Sequence, residues 1–198
     1  MKIIGLTGNI ASGKSAISNI LKELGANVID MDRVGKEIQD TNYKNVVSII
    51  SATFGDTVIQ DKKINRKLLA TLVFTDTQQL AKLNEIMIPL MTEKLNDMLS
   101  QYRQKRAKIV VIDAAILFEA GWDEIADEIW VVYTSEETQL SRLMEREHID
   151  ESAALSRIRS QMGIGEKIKR ADVVIDNSGS LDKVRREVRE LWMRLDSI

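Results

Sequence analysis

Residues 8–15 form a phosphate-binding pattern close to the N-terminus. The run Gly8-Asn9-Ile10-Ala11-Ser12-Gly13-Lys14-Ser15 satisfies G-x-x-x-x-G-K-[ST] at every position. In this pattern the glycines let the backbone approach a phosphate, the lysine supplies a charge near the β- and γ-phosphates, and the serine hydroxyl is placed to bind Mg²⁺. The pattern therefore predicts a nucleoside triphosphate site at these residues.

The segments on either side of this pattern are those that a phosphate-binding loop requires. Residues 2–7 read as a short buried strand, and an apolar stripe at helical spacing follows the loop at Ile17, Ile20, Leu21 and Leu24. A strand, a glycine-rich turn and a helix place the loop amides and the positive end of the helix dipole at one anion. This context distinguishes a phosphate site from a chance match.

Three carboxylates follow predicted strands and are candidates for chemistry. Asp30 and Asp32 come after the predicted strand at residues 26–29, and Asp113 ends the apolar strand at residues 108–113. Ligands of parallel α/β sheets bind at the carboxyl ends of the strands. Asp32 or Asp30 could act as a general base, although Asp32 could instead cap a helix. Asp113 could hold Mg²⁺ or the Ser15 hydroxyl, or simply bind a neighbouring loop.

Residues 135–170 are rich in charges of both signs, including Arg142 and Arg146 one helical turn apart. Two interpretations stay open for this segment. It could be a solvated helical hairpin with weak ion pairs, or a lid whose arginines reach a transferring phosphoryl group. His148, near its predicted turn, is expected to be an exposed surface residue.

The composition limits the classes of function. The chain has 198 residues, a formal net charge of −2, no cysteine and one histidine. Disulfides and thiolate catalysis are therefore excluded, a histidine metal cluster is disfavoured, and no basic field indicates nucleic acid. Residues 1–7 lack the features of a targeting signal, and no apolar run is long enough to span a membrane. We expect a cytoplasmic protein, either a monomer or a small homo-oligomer.

The order of predicted elements indicates an α/β fold with a doubly wound, five-stranded parallel sheet. Residues 36–105, a long helical block between the second and third strands, are predicted to be an inserted acceptor-binding subdomain. The core is expected at about 1–35, 106–134 and 171–198, and the lid at about 135–170. Pro89 favours the first turn of a new helix, and Leu181 is expected to begin the buried stripe of the last helix.

The motifs together resemble the dephospho-CoA kinase family over residues 2 to about 190. Besides the phosphate loop, the resemblance rests on five stretches, namely Ile29-Asp30-Met31-Asp32, Ile116-Leu117-Phe118-Glu119, residues 139–146, Gln161-Met162, and residues 171–179 with the sequence ADVVIDNSG. It implies that MgATP phosphorylates the ribose 3′-hydroxyl of dephospho-CoA to give CoA and ADP. It also implies a P-loop kinase core with a helical CoA subdomain and a lid.

The resemblance also implies roles for individual residues. Asp32 matches the base, residues from Gly8 to Ala16 match the ATP loop, and Arg142 matches the lid arginine. Arg146 and Arg157 match other arginines of the lid region, and Asn177 falls in the turn near the adenine pocket. The catalytic group would then be Asp32, Lys14 and Arg142, with Ser15 and Asp113 at the metal.

Two positions depart from the family pattern. Ile88 precedes Pro89 where the family usually has histidine, and Ala115 stands where it usually has proline. Both bear on acceptor binding more than on ATP binding, so a P-loop kinase for another nucleoside-like acceptor stays an alternative. A non-catalytic ATP-binding switch is a second alternative. A dinucleotide-binding oxidoreductase is disfavoured because the chain contains no G-x-G-x-x-G.

Overall fold

The chain forms two compact units in a computed structural model that describes residues 1–196. The first, which we call the core unit, contains residues 1–30 and, of the described residues, 99–196. The second, which we call the helical unit, contains residues Met31–Met98. The predicted insertion, about 36–105, begins and ends later in the chain than this helical unit.

The strands and helices alternate along most of the chain. The strands are β1 Lys2–Gly8, β2 Asn27–Asp30, β3 Ile59–Gln60, β4 Lys63–Ile64, β5 Ile109–Asp113, β6 Glu128–Tyr133 and β7 Val173–Asp176. The helices are α1 Lys14–Glu23, α2 Met31–Asp40, α3 Val46–Phe54, α4 Arg66–Thr75, α5 Thr77–Gln104, α6 Glu136–Glu147, α7 Glu151–Arg159, α8 Ile164–Lys169 and α9 Leu181–Asp196. Although α5 has 28 residues, no helix among residues 1–196 combines the length and the apolar character of a membrane span.

The core unit is built on a parallel sheet of five strands in the order β2-β5-β1-β6-β7. This confirms the predicted sheet, and the strands are apolar runs because helices cover both faces of such a sheet. β1 is central, with Leu6 opposite Asp113 on one neighbour and Gly8 opposite Val132 on the other. The loop after β1 therefore begins at the middle of the carboxyl edge.

Helices α1 and α9 contribute apolar stripes to the main core of this unit. Ile17, Ile20 and Leu21 of α1 are buried with the apolar residues of the sheet. Val184, Val188, Leu191 and Leu195 of α9 belong to the same cluster. The last helix begins at Leu181 as predicted, but the expectation that this side chain packs against the sheet was wrong, because it is 53% exposed.

The helical unit contains α2, α3, α4, most of α5 and the small antiparallel pair β3–β4. The prediction for Pro89 was wrong, since it lies inside α5 rather than at the start of a helix. The helix continues past the proline because its apolar side is packed, with Met87, Met91 and Leu95 all buried at intervals of four residues.

Candidate active site

Two glycines give the loop between β1 and α1 its path. A Cβ on Gly8 would lie 2.6 Å from the carbonyl oxygen of Val132, so no side chain fits there. Gly13, at the start of α1, has a left-handed φ of 86°, and a Cβ on it would lie 1.9 Å from Nδ2 of Asn177. Both glycines of the pattern are therefore required by space, and Gly13 also by its backbone conformation.

The side chain of Asn177, a residue close to the C-terminus, is hydrogen-bonded to the phosphate loop. It follows β7, and its side-chain Nδ2 donates a hydrogen bond of 2.8 Å to the carbonyl oxygen of Ser12. Both residues are buried, with exposures of 7% for Asn177 and 0% for Ser12. This contact joins residues 165 positions apart and gives Asn177 a structural function that the sequence did not indicate.

Lys14 and Asp113 form an ion pair between their Nζ and Oδ1 atoms. Both are well covered, with side-chain exposures of 13% and 7%. The pairing of β1 with β5 produces this contact, since Lys14 follows β1 after the loop and Asp113 ends β5. The predicted Lys14 and Asp113 thus lie together at the loop, and Asp30 lies opposite Asp113 in the pairing of β2 with β5.

Oxygen ligands suited to Mg²⁺ are present beside the loop. Ser15 is exposed in the first turn of α1, and Asp113 supplies a carboxylate at the neighbouring strand end. Residues 1–196 contain no group of three or more His, Asp or Glu side chains that could hold a metal by themselves. Mg²⁺ in kinases needs only one or two protein ligands because phosphates and waters complete its octahedron, so the donor set fits this ion.

The segment predicted to be a lid comprises α6, α7 and α8. Ser135 and Asp150 begin α6 and α7 by accepting hydrogen bonds from Thr138 and Ala153 amides. An apolar cluster of Leu143, Ala154 and Ile158 holds the first two helices together. His148 ends α6 with a left-handed φ of 52° and is exposed, as expected.

The arginines of this predicted lid segment are in two different environments. Arg146 and Arg157 both pair with Glu147, which matches the interpretation of internal ion pairs. Arg142 instead lies at the phosphate loop, with its Nη1 3.5 Å from where a Cβ on Gly13 would be. The exposed Arg142 side chain is therefore beside the loop residue that precedes Lys14.

A buried lysine that the sequence did not single out supports the neighbouring loop. Lys167 of α8 is fully buried, with 0% exposure. Its Nζ donates a hydrogen bond of 2.6 Å to the carbonyl oxygen of Ala115 and forms an ion pair with Glu119 at 3.1 Å. Burial lowers the pKa of Lys167, and the Glu119 carboxylate acts in the opposite direction. Thr7 of β1 donates to the same Ala115 oxygen at 3.3 Å. Both contacts are made to the backbone carbonyl oxygen of Ala115. They are therefore possible with alanine at this position, where the family usually has proline.

Asp32 lies in the first turn of α2 and is exposed. It follows the last residue of β2, Asp30, by two positions in the chain. Ile88, the other departure, lies within α5, where its carbonyl oxygen accepts a 2.8 Å hydrogen bond from Thr92. The predicted roles of Asp32, Arg146 and Asn177 toward ligands stay predictions at this point.

Comparison with known proteins gives one consistent result. The family model described as dephospho-CoA kinase matches residues 2–183. A dephospho-CoA kinase of Carboxydothermus hydrogenoformans is 42% identical over 189 residues, which cover 95% of this chain and 91% of that protein. The resemblance inferred from the motifs is thereby confirmed.

Solved structures agree with the sequence comparison. The Thermus thermophilus protein TT1252 has a TM-score of 0.80 and 31% identity, covering 98% of this chain and 97% of its own. The dephospho-CoA kinase from Campylobacter jejuni has a TM-score of 0.71 and 30% identity, covering 98% of both chains. The alignments cover 98% of this chain in each case, and so extend over both compact units.

Proposed function

The chain belongs to the dephospho-CoA kinase family, and we propose that the residues around its phosphate loop carry out the phosphoryl transfer. The activity of the family is transfer of the γ-phosphoryl group of ATP to the ribose 3′-hydroxyl of dephospho-CoA. The products are CoA and ADP, and this reaction is the last step of CoA biosynthesis. The two substrates are therefore ATP and dephospho-CoA.

The observation that carries the proposed roles is the convergence of three charged groups on the loop. Lys14 and Asp113 form their ion pair at its end, and Arg142 lies beside Gly13. Catalysis of phosphoryl transfer depends on positioning and on stabilising the charge that spreads over the transferred group. In the proposal, the loop amides and Lys14 bind the β- and γ-phosphates, and Arg142 stabilises the transition state.

The metal and the nucleotide are assigned to the remaining predicted residues. Ser15 and Asp113 would hold Mg²⁺, which neutralises phosphate charge when bound. The loop from Gly8 to Ala16 binds the triphosphate, with Arg146 and Asn177 as further nucleotide contacts. For Asn177 this would be a second function, since its side chain already supports Ser12. The oligomeric state and the cellular location stay predictions from the sequence.

The acceptor hydroxyl needs a group that takes its proton. We assign this to Asp32, whose position just after β2 suits a base at the carboxyl edge of the sheet. A carboxylate there accepts the proton as the oxygen attacks the γ-phosphorus in line with the leaving ADP. The helical unit is proposed to supply the other acceptor contacts.

Steady-state kinetics with MgATP and dephospho-CoA test these assignments, with ADP release as the signal and CoA identified by mass. Asp32→Asn is expected to lower kcat by about 10²–10⁴-fold, the range of general-base catalysis. The ATP KM should change little, because the substitution removes an interaction made only in the transition state. Lys14→Ala should abolish turnover.

Asp30→Asn is the matched control, since it removes a carboxylate two residues away. If Asp30→Asn lost activity while Asp32→Asn kept a near-normal kcat, the base would be Asp30. If the wild-type protein released ADP without dephospho-CoA, or phosphorylated another nucleoside-like acceptor faster, the assigned activity would be refuted for this chain.

A further inference from the structure

The apolar core of the lid includes two residues of the phosphate loop. Leu143, Ala154 and Ile158 form the buried centre of this cluster, with exposures of 0%, 0% and 7%. Ile10 and Ala11 pack against it from the loop. The tip of the phosphate loop is thus one wall of the lid core, so the two segments share a packed interface.

The backbone at Ala11 indicates that this packing matters for the loop. Ala11 has a left-handed φ of 60°, a conformation that is strained for alanine and not for glycine. The methyl group of Ala11, however, contacts the lid cluster, so its packing offsets part of the strain.

A hydrogen bond connects the same two segments. The amide of Ile10 donates to Oε1 of Gln161 over 2.7 Å, across 151 residues of sequence. Gln161 follows α7. The next residue, Met162, also has a long-range contact, since its amide donates a hydrogen bond of 2.9 Å to Oε1 of Glu119. Lys167 pairs with Glu119 in turn. The side chain of Gln161 therefore bonds to the phosphate loop, while the backbone of the next residue, Met162, is bonded to Glu119.

We propose that Gln161 is a positioning residue for ATP, which acts through the Ile10 amide. By holding that amide, Gln161 fixes the tip of the phosphate loop against the lid and keeps the loop in the conformation that receives the triphosphate. The same attachment keeps α6 in place, so that Arg142 stays beside Gly13. This inference rests on the proposed function of residues 8–15 as the triphosphate site.

The side chain of Gln161 is suited to this function because its amide oxygen accepts a hydrogen bond without adding charge near the phosphates. Gln161→Leu has nearly the same shape but no acceptor, so it leaves the Ile10 amide without its partner. Gln161→Glu keeps an acceptor oxygen. Ser160→Ala is a control in the same turn, since Ser160 bonds only locally to the carbonyl oxygen of Arg157, at 2.8 Å.

The first measurement follows the amide itself, by ¹⁵N-detected hydrogen exchange in the full chain without nucleotide. The Ile10 amide is expected to be protected in the wild type, in Ser160→Ala and in Gln161→Glu. In Gln161→Leu the exchange should be faster by at least tenfold. A wild-type Ile10 amide that exchanges as fast as an exposed one would overturn the proposal without any variant.

The second measurement is steady-state kinetics with both substrates. Gln161→Leu is expected to raise the ATP KM by about tenfold, which corresponds to about 1.4 kcal/mol. The dephospho-CoA KM should stay near the wild-type value, and Ser160→Ala should match the wild type. An unchanged ATP KM in Gln161→Leu, or an equal rise in Ser160→Ala, would refute the positioning function. A wild-type protein that failed to bind ATP would instead refute the proposed function of the loop.

Discussion

Gly13→Ala is the substitution whose consequences the structure specifies most fully. The residue has a φ of 86°, which strains any side chain, and its new Cβ would lie 1.9 Å from Nδ2 of Asn177. That separation is far below a van der Waals contact, so Asn177 must move. Its hydrogen bond to the buried carbonyl oxygen of Ser12 is then lost.

The cost has two parts that can be assigned separately. Placing alanine in the left-handed region costs about 1–2 kcal/mol. Leaving the Ser12 carbonyl without its partner costs about 1–3 kcal/mol, because the group is buried. Together they lower the free energy of unfolding by about 2–5 kcal/mol, and at about 2–4 °C per kcal/mol the Tm falls by about 4–20 °C.

Two further variants separate the parts. Gly25→Ala is the control for strain alone, since Gly25 has a φ of 103° but nothing within 4 Å of a new Cβ. It should cost only the strain, about 1–2 kcal/mol. In an Asn177→Ala background the clash is absent and the Ser12 carbonyl is already unpaired. Gly13→Ala should therefore cost less there, with a coupling energy of about 1–3 kcal/mol.

The assay is urea unfolding of the wild type, the two single variants and the double variant, with Gly25→Ala alongside. If the costs of Gly13→Ala and Asn177→Ala simply add, the two side chains do not compete for the same space. If Gly13→Ala costs no more than Gly25→Ala, the contact with Asn177 contributes nothing to stability. Either result would refute the reasoning.

Two other substitutions follow from the charged groups. Arg142→Ala should lower kcat by about 10²–10³-fold, the effect of losing one stabilising donor, and leave the Tm nearly unchanged because the side chain is exposed; a large fall in Tm would contradict this function. Lys167→Met should lower the Tm, since the Ala115 carbonyl keeps only the longer hydrogen bond from Thr7 and the Glu119 carboxylate loses its cation. Because burial lowers the pKa of Lys167 from 10.5, the unfolded chain binds more protons than the folded chain in the alkaline range below that value. The wild type should therefore gain stability relative to Lys167→Met as pH rises toward 10.5, and a constant difference in urea unfolding would contradict it.

The sheet could be predicted because each of its strands is a short apolar run bounded by turn residues. β5, for example, was predicted at residues 108–113 and extends over Ile109–Asp113 in the structure. The path of α5 could not be predicted in the same way. Pro89 is a local signal for a helix start, but the buried stripe of Met87, Met91 and Leu95 depends on the fold of the helical unit. Packing here outweighed the local preference.

The motif residues of the site could be found from sequence because their spacing is local. Lys14 and Asp113 were both identified as ends of recognisable elements, and their contact follows from the pairing of β1 with β5. Asn177 was found only through the family resemblance, and no local pattern connects it with Ser12. Its contact spans 165 positions, so only the assembled fold brings the two residues together.

Two lysines of α8 show most clearly what the sequence lacks. Lys167 and Lys169 are two residues apart in a charged stretch, and nothing in their neighbourhood distinguishes them. In the structure the side chain of Lys169 is 74% exposed and pairs with Glu166 on the surface, whereas that of Lys167 is 0% exposed and bonds to Ala115 and Glu119. Residues two apart point to different sides of a helix, so one faces water and the other the interior. A surface pair contributes little to stability, but loss of the buried cation leaves the Glu119 carboxylate without the positive charge of Lys167. Substitution of Lys167 should therefore destabilise the loop that contains Ala115 and Glu119, and substitution of Lys169 should not.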